Sequence, residues 1–247
     1  MSLLWRNREL RIGLAPERVY VSGAKSLDLT PAADGGWQAA VEALPEVLKG
    51  KGGVASVVLA DQFVRYALLP HNEALKTDEQ WNALARHRFS VLHGPRADEW
   101  DVSLAATAPR GARLACAVDK ALLFSLSEIF QKGGVRLGSV QPFLVTAFNR
   151  MRRRIGNGSC WIVVEELGRL TLALIQRGAW VATRARRSDT QWRKVLGEIL
   201  EREAAFLGLS QPVNHVLVCA QGELAVDMQQ EWHAEALSYR ELALSKE

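Results

Sequence analysis

The side chains able to do chemistry are spread along the chain at spacings that support few reactions. Only two of the five histidines are near neighbours, His87 and His93, and a spacing of six puts them on different faces of a helix. Cys116, Cys160 and Cys219 lie far apart with no C-x-x-C pair, so we expect buried thiols on strands. These residue types predict no metal site.

The motifs of the common nucleotide-dependent and metal-dependent enzymes are absent from the sequence. It contains no G-x-G-x-x-G, no G-x-x-x-x-G-K-[ST] and no H-E-x-x-H. The segment Gly156-Asn157-Gly158-Ser159 lacks the second glycine of a nucleophile elbow. Hydrolase and dinucleotide-binding functions therefore lose support, and we name no catalytic residue.

Composition indicates a globular protein that is only mildly basic. The chain has 247 residues, 48% of them hydrophobic, and a net charge of +4. It has no apolar run of roughly 18 residues, as a membrane span needs, and no signal peptide at its start, so we expect a cytoplasmic location.

Two arginine-rich clusters stand out from this even background. The first is Arg150, Arg152, Arg153 and Arg154, and the second is Arg184, Arg186, Arg187, Arg193 and Lys194. Such clusters are most often solvated faces, and they can also attract anionic lipid or nucleic acid. No aromatic residues interleave with them to stack on bases, so we expect no nucleic-acid partner.

The hydrophobic pattern predicts two halves, each opening with a strand–turn–strand unit. The strands are predicted at 10–15, 18–22, 54–59, 64–69, 100–106, 113–118, 135–140, 160–165, 169–177, 179–185 and 214–220. The helices are predicted at 37–48 with a break at Pro45, 78–92, 120–132, from 143, and from the capping box at 188–191 onward. Thr77 to Gln80 and Ser188 to Gln191 are predicted capping boxes, and the chain's end favours helix.

The basic and then Gly/Asn/Ser-rich stretch 151–159 is the strongest composition break, and we place a lobe junction there. The first lobe is then 1–150, with an inserted subdomain at about 61–118, and the second is 160–247.

The order of elements from Ser56 to Asn149 resembles the pilus-assembly PilM family and the cytoplasmic part of the type II secretion GspL family. The matching landmarks are the strand 56–59, Leu68-Leu69-Pro70, the helix 78–92, the strands 101–105 and 114–118, the helix 120–132, Gly133-Gly134-Val135 and Val140-Gln141-Pro142. The resemblance implies an α/β, two-lobed actin-like ATPase (ribonuclease H-like) fold with mixed sheets and flanking helices.

In that fold the two opening turns hold nucleotide phosphates, with an acidic residue for Mg²⁺ and glycine where the backbone approaches phosphate. The first turn here has Gly13 and Arg18, and its Pro16 has no N–H to donate. The second turn has Glu165, Gly168 and Arg169, and of the adjacent Glu165 and Glu166 at most one can face a cleft. The resemblance then implies a degenerate nucleotide site, no cofactor and a pseudo-ATPase. The alternative is an active ATPase or kinase that binds Mg-ATP with atypical loops.

The same resemblance implies a binding function. PilM-like proteins dock the N-terminal peptide of a membrane-anchored, PilN-like partner, and GspL-like proteins recruit a secretion ATPase. We therefore expect a cytoplasmic scaffold of a type IV pilus or type II secretion inner-membrane platform, peripheral to the membrane and able to self-associate. Its groove is predicted near Leu69, Pro70, Trp81 and Phe89, with Trp81 as an ordinary core residue being the simpler alternative.

Overall fold

The described part of the chain folds into two five-stranded sheets and one three-stranded sheet with helices packed on them. The structure is a computed structural model, and it describes residues 9–32, 35–105, 111–220 and 233–244. In this part of the chain, none of the helices has both the length and the apolar character needed to cross a membrane.

The first sheet is formed by residues before the composition break. Its strands are β1 (Leu10–Ala15), β2 (Arg18–Val21), β3 (Leu27–Asp28), β4 (Val54–Leu59) and β8 (Arg136–Pro142). They lie in the order β3-β2-β1-β4-β8, with β1 and β2 antiparallel and with β4 and β8 parallel to β1. The helices of this part are α1 (Gln38–Glu42), α2 (Leu44–Leu48), α4 (Lys120–Lys132) and α5 (Phe143–Ile155).

The second sheet repeats that arrangement with residues after the break. Its strands are β9 (Ser159–Glu166), β10 (Arg169–Gln176), β11 (Ala179–Arg187), β12 (His215–Ala220) and β13 (His233–Ser238). The order is β11-β10-β9-β12-β13, with an antiparallel meander followed by two strands parallel to β9. Helix α6 (Trp192–Phe206) crosses from β11 to β12, and the short helix α7 (Tyr239–Leu244) follows β13. The two sheets have the same order of strands, so the two halves form an internal repeat, as the paired hairpins predicted.

The third sheet is inserted between β4 and β8. It comprises β5 (Val64–Leu69), β6 (Trp100–Leu104) and β7 (Arg113–Asp119), and helix α3 (Asp78–His93) packs on it. All neighbours are antiparallel, and β7 lies in the middle. We call this unit the small subdomain. The lobe limits at 1–150 and 160–247 and the insert at 61–118 remain our proposed boundaries.

Among the described residues, three apolar clusters account for the core. The largest joins the first sheet and its helices to one side of the second sheet, where the ring of Phe148 lies 4.5 Å from that of Trp180. A second cluster lies between the second sheet and α6, and a third between α3 and the small sheet. The three cysteines are buried and unpaired, as predicted.

Local sequence signals predicted most helix ends. Thr77 and Gln80 form the expected capping box, Asp119 accepts the N–H of Ala121 at 2.8 Å, and Pro45 lies in the first turn of α2. The capping box predicted at 188–191 is wrong, because the Asp189 carboxylate accepts the N–H of Gln191 in a turn that precedes α6. The strands β3 and β13 were not predicted.

Candidate functional site

The first predicted phosphate turn, between β1 and β2, is closed by its own packing. Gly13 lies within β1, where an added Cβ would come within 3.3 Å of Tyr20 and 3.4 Å of Ala243. In this structure, Gly13 therefore allows β1 to pack closely against Tyr20 and Ala243. Pro16 is buried in the turn, and the Arg18 guanidinium lies 2.5 Å from the Asp28 carboxylate at the surface.

The second predicted turn joins β9 to β10 through Leu167 and Gly168. Gly168 has a φ of +72°, a left-handed conformation that glycine adopts without strain. The carbonyl of Leu167 accepts a hydrogen bond from Nε2 of Gln62 at 2.8 Å, so this turn contacts the short 3-10 helix Asp61–Phe63 that follows β4 in the first half.

Glu166, beside that turn, fills the space between the two halves. Its Oε1 accepts the backbone N–H of Asp61 at 2.8 Å, and its Oε2 accepts that of Gln62 at 3.0 Å. Only 1% of Glu166 is exposed. The sequence prediction named Glu165 as the acidic loop residue, and the structure instead directs its neighbour Glu166 to the first half, since adjacent strand residues point to opposite faces.

Asp61 completes this junction from the first half. It follows the buried run at the end of β4 and is fully buried. Its Oδ1 accepts hydrogen bonds from the Tyr66 hydroxyl at 2.5 Å and from the N–H of Leu144, at the start of α5, at 3.0 Å. An aspartate directly after an apolar strand was the sequence signal that could have identified this residue, and we did not predict it.

The two buried carboxyl groups are hard to ionise together. Burial raises the pKa of Asp61 to about 6, although hydrogen bonds from Tyr66 and Leu144 and the charge of Arg169 oppose the change. Burial and the neighbouring Asp61 raise the pKa of Glu166 well above its ordinary range. We therefore expect the pair to hold one proton at mildly acidic pH, below about 6.

The hydrogen bonds leave Oδ2 of Asp61 as the oxygen of the pair that can take a proton without losing an accepted N–H. Both oxygens of Glu166 already accept backbone N–H groups, whereas Oδ2 of Asp61 has no hydrogen-bond partner within the described ranges. A protonated Oδ2 removes one of two facing charges without breaking a hydrogen bond.

This arrangement opposes phosphate binding. Two adjacent backbone N–H groups are a common site for a phosphate oxygen, but here they are already bonded to Glu166. A triphosphate would also meet two carboxyl groups, and neither is reachable while the halves stay in contact. In the described ranges, no group of three His, Cys, Asp or Glu side chains comes together to hold a metal ion.

Comparison with solved structures identifies the architecture. A PilM–PilN type IV pilus biogenesis complex matches with a TM-score of 0.69 at 12% identity, over 97% of this chain and 90% of that one. The cytoplasmic domain of EpsL, an inner-membrane component of the Vibrio cholerae type II secretion system, matches at 0.56 and 14% identity, over 96% and 92%. A Bacteroides thetaiotaomicron protein with an actin-like ATPase fold and unknown function matches at 0.58 and 14% identity, over 91% and 86%.

The chain has the actin-like ATPase fold. The resemblance to PilM and the GspL-type cytoplasmic domain is thus confirmed at the level of the fold. No protein-family model and no curated protein matches the sequence.

The predicted partner groove of this actin-like fold requires correction. Leu69, Trp81 and Phe89 are 1%, 3% and 0% exposed and form the core between α3 and the small sheet. Only Pro70 is at the surface. Because their apolar side chains attach α3 to its sheet, Leu69, Trp81 and Phe89 are core residues and do not themselves line a groove.

A groove does lie beside this core, between the start of α3 and β6. Its volume is about 480 Å³, and it is lined by Asp78, Asn82, Arg113 and residues 102–105. Arg113 forms one wall, since its guanidinium lies 3.1 Å from Asp78 and 4.6 Å from the centre of the Trp81 ring. Trp81 therefore contacts the groove wall formed by Arg113 but does not itself line the groove.

Proposed function

We propose that this chain is a non-catalytic cytoplasmic scaffold of a type IV pilus or type II secretion inner-membrane platform. In this proposal the small subdomain captures an extended segment of a membrane-anchored, PilN-like partner. Support comes from the fold shared with a PilM–PilN complex and with the EpsL cytoplasmic domain. The closed junction of Asp61 and Glu166 supports a non-catalytic role.

The observation that carries the proposal is the outer edge of β6. Strand β7 pairs with β6 on one side, and no strand in the described ranges pairs with it on the other. An unpaired edge presents backbone N–H and C=O groups that can bond to an added strand. Beside this edge runs the groove against α3, which would receive the side chains of the added strand.

The pairing of β6 with β7 shows which groups face outward. The N–H of Ala105 donates to the carbonyl of Leu114 in β7 at 2.8 Å, and Ser103 lies opposite Cys116. Backbone bonding alternates along an antiparallel pair, so Ser103 is directed to β7 and the backbone groups of Val102 and Leu104 face the open edge. An incoming strand would therefore bond to Val102 and Leu104.

Binding of a labelled peptide tests this mode of capture. The probe is the N-terminal cytoplasmic segment of a PilN-like membrane protein of the same genome, titrated in fluorescence anisotropy. Leu104→Pro removes an outward N–H that β7 does not use, so it should weaken binding at least roughly tenfold while the sheet remains intact. Asp101→Asn, at an exposed position of the same strand outside the groove lining, is the control and should bind like the wild type.

Two results would contradict the proposal. If the wild-type chain does not bind the peptide, the scaffold function loses its central support. If Leu104→Pro binds as tightly as the wild type, in a sample whose thermal unfolding shows a folded protein, capture at the edge of β6 is wrong.

A further inference from the structure

A row of four arginines crosses from the small subdomain to the second half, beside the junction of the two halves. Its members are Arg96, in the short 3-10 helix between α3 and β6, Arg65 of β5, Arg169 of β10 and Arg187 of β11. Arg96 and Arg187 are exposed, and Arg65 and Arg169 are half-buried. We call this row the arginine belt.

The pairing of β10 with β11 sets two of these charges side by side. Arg169 and Arg187 lie directly opposite each other, so their side chains are on the same side of the second sheet. Like charges directly opposite each other destabilise a sheet. The stability of the fold therefore does not explain the choice of arginine at position 187.

Hydrogen bonds connect Arg65 of the small subdomain to the same place. Its Nη1 donates to the carbonyls of Gln62 and Val64, at 3.0 and 3.2 Å. The side chain of Gln62 in turn donates to the carbonyl of Leu167, two residues before Arg169. One short chain of contacts thus joins Arg65 to the turn that carries Arg169.

The electrostatics of this region add Arg96 to the belt. Burial and the charges of Arg169 and Arg96 lower the pKa of Arg65. Burial and the charges of Arg65 and Arg96 likewise lower the pKa of His93, at the end of α3. Neighbouring positive charges disfavour a further positive charge, so both shifts indicate a positive potential at the belt.

Acidic groups offset only part of this charge. The charge of Arg169 interacts with the two carboxyl groups of the junction, which match it. Within the described ranges, no ion pair involves Arg65, Arg96 or Arg187, and the two carboxylates that follow Arg96 in its 3-10 helix are not paired with it. These three arginines therefore have no carboxylate partner in the part of the chain that the structure describes.

We propose that the arginine belt binds an acidic segment of a partner polypeptide, with Arg65, Arg96 and Arg187 as its contacts. Charge complementarity favours this occupant, because a run of Asp or Glu side chains presents carboxylates at successive positions and guanidinium groups bind carboxylates through paired hydrogen bonds. The belt is a different surface from the edge of β6, so the proposal does not depend on peptide capture there.

The aromatic residue beside the belt argues against a nucleic acid as the occupant. The indole of Trp100 already makes edge contacts with His93, at 4.9 Å between ring centres, and with Phe89, at 6.2 Å. Single-stranded nucleic acids bind through bases stacked on open aromatic faces as well as through basic side chains. A surface that offers guanidinium groups without such a ring suits carboxylates better.

Fluorescence anisotropy of a labelled oligoglutamate peptide, titrated with the full chain, tests the belt. The wild type should bind it at low ionic strength, and the affinity should fall as salt is added, because exposed charges are screened. Arg96→Gln and Arg187→Gln should each weaken binding roughly threefold, and the double variant roughly tenfold. An oligoglutamine peptide of the same length is the neutral control and should not bind.

Arg152→Gln is the matched control for net charge. It also removes one exposed arginine, from the end of α5 that leads into the start of β9, whereas the belt lies at the other end of that strand. Its affinity should stay within about twofold of the wild type. The belt variants should keep the wild-type unfolding midpoint, since both substitutions are at exposed positions without an ion pair in the described ranges.

Several outcomes would overturn the proposal. One is a wild-type chain that does not bind oligoglutamate at low ionic strength, and another is equal binding of oligoglutamine. A loss of affinity in Arg152→Gln as large as that in the belt variants would show a general effect of net charge. Tighter binding of single-stranded oligothymidine, weakened by the same belt variants, would identify a nucleic-acid surface instead.

Discussion

Glu166 of the second sheet accepts the backbone N–H of Asp61, at the end of β4 in the first half, across 2.8 Å. The contact joins two buried acidic residues from the two halves, beside the second predicted phosphate turn. It has measurable consequences for stability, for its pH dependence and for nucleotide binding.

The stability of the protein should depend on pH through Asp61. A carboxyl group whose pKa is raised on folding binds more protons in the folded state than in the unfolded state. Its contribution to the free energy of unfolding is therefore greatest below the unfolded-state pKa near 4. That contribution falls as the pH rises through the folded-state pKa. Asp61→Asn keeps an uncharged acceptor for Tyr66 and Leu144. Between pH 3 and pH 8 the variant should gain roughly 3 kcal/mol relative to the wild type, which corresponds to a pKa change from 3.8 to about 6.

Urea unfolding at several pH values measures this difference. Parallel curves for the wild type and Asp61→Asn would contradict the raised pKa. Asp101→Asn, at an exposed position of β6, is the control and should follow the wild type.

Removal of the Glu166 side chain should weaken the contact between the halves. Glu166→Ala leaves the N–H groups of Asp61 and Gln62 without their acceptor, at a cost of roughly 2 to 4 kcal/mol in the free energy of unfolding. The loss should be larger at pH 5 than at pH 8, because at higher pH the variant is also relieved of carboxylate repulsion. Calorimetry measures both values, and Glu201→Ala on the exposed side of α6 should change neither.

Trp81 should act on partner capture only through the stability of the small subdomain. Its indole is 3% exposed and packs with Phe89 and Leu69, so Trp81→Ala should cost roughly 3 to 5 kcal/mol. Hydrogen exchange should then show loss of protection in β5, β6 and β7 before the second sheet. Trp81→Phe retains most of the packing and should restore protection. A stable Trp81→Ala protein with normal exchange would show that the indole is not part of this core.

The elements of the fold were predictable where the signal is local. The Thr77 capping box, the break at Pro45 and the alternating residues of both hairpins each depend on a few neighbours in sequence. The likeness of the two halves followed from their two similar sets of elements, whereas the order of strands in each sheet was not predicted. Strand β13 was missed because its place is set by pairing with β12, a contact between distant segments.

The candidate sites were less predictable because they depend on which face each residue presents. Whether Glu165 or Glu166 enters the junction is decided by the register of β9 with β10, and a shift of one residue exchanges them. Trp81 and Phe89 are apolar residues of a helix that has both a buried and an exposed face, and sequence alone did not separate core from groove. The pairing of Asp61 with Glu166 spans 105 residues and has no local signal.

Mg-ATP should not bind to this chain at concentrations up to about 1 mM. The N–H groups of Asp61 and Gln62 are bonded to Glu166, Pro16 has no N–H to offer, and the guanidinium of Arg18 is paired with Asp28. Isothermal titration measures this directly, and binding in the micromolar range would favour the alternative of an active ATPase. Glu166→Ala frees both N–H groups but leaves Pro16 in the other turn, so it too should fail to bind. If that variant does bind Mg-ATP, Glu166 by itself is what keeps the nucleotide out.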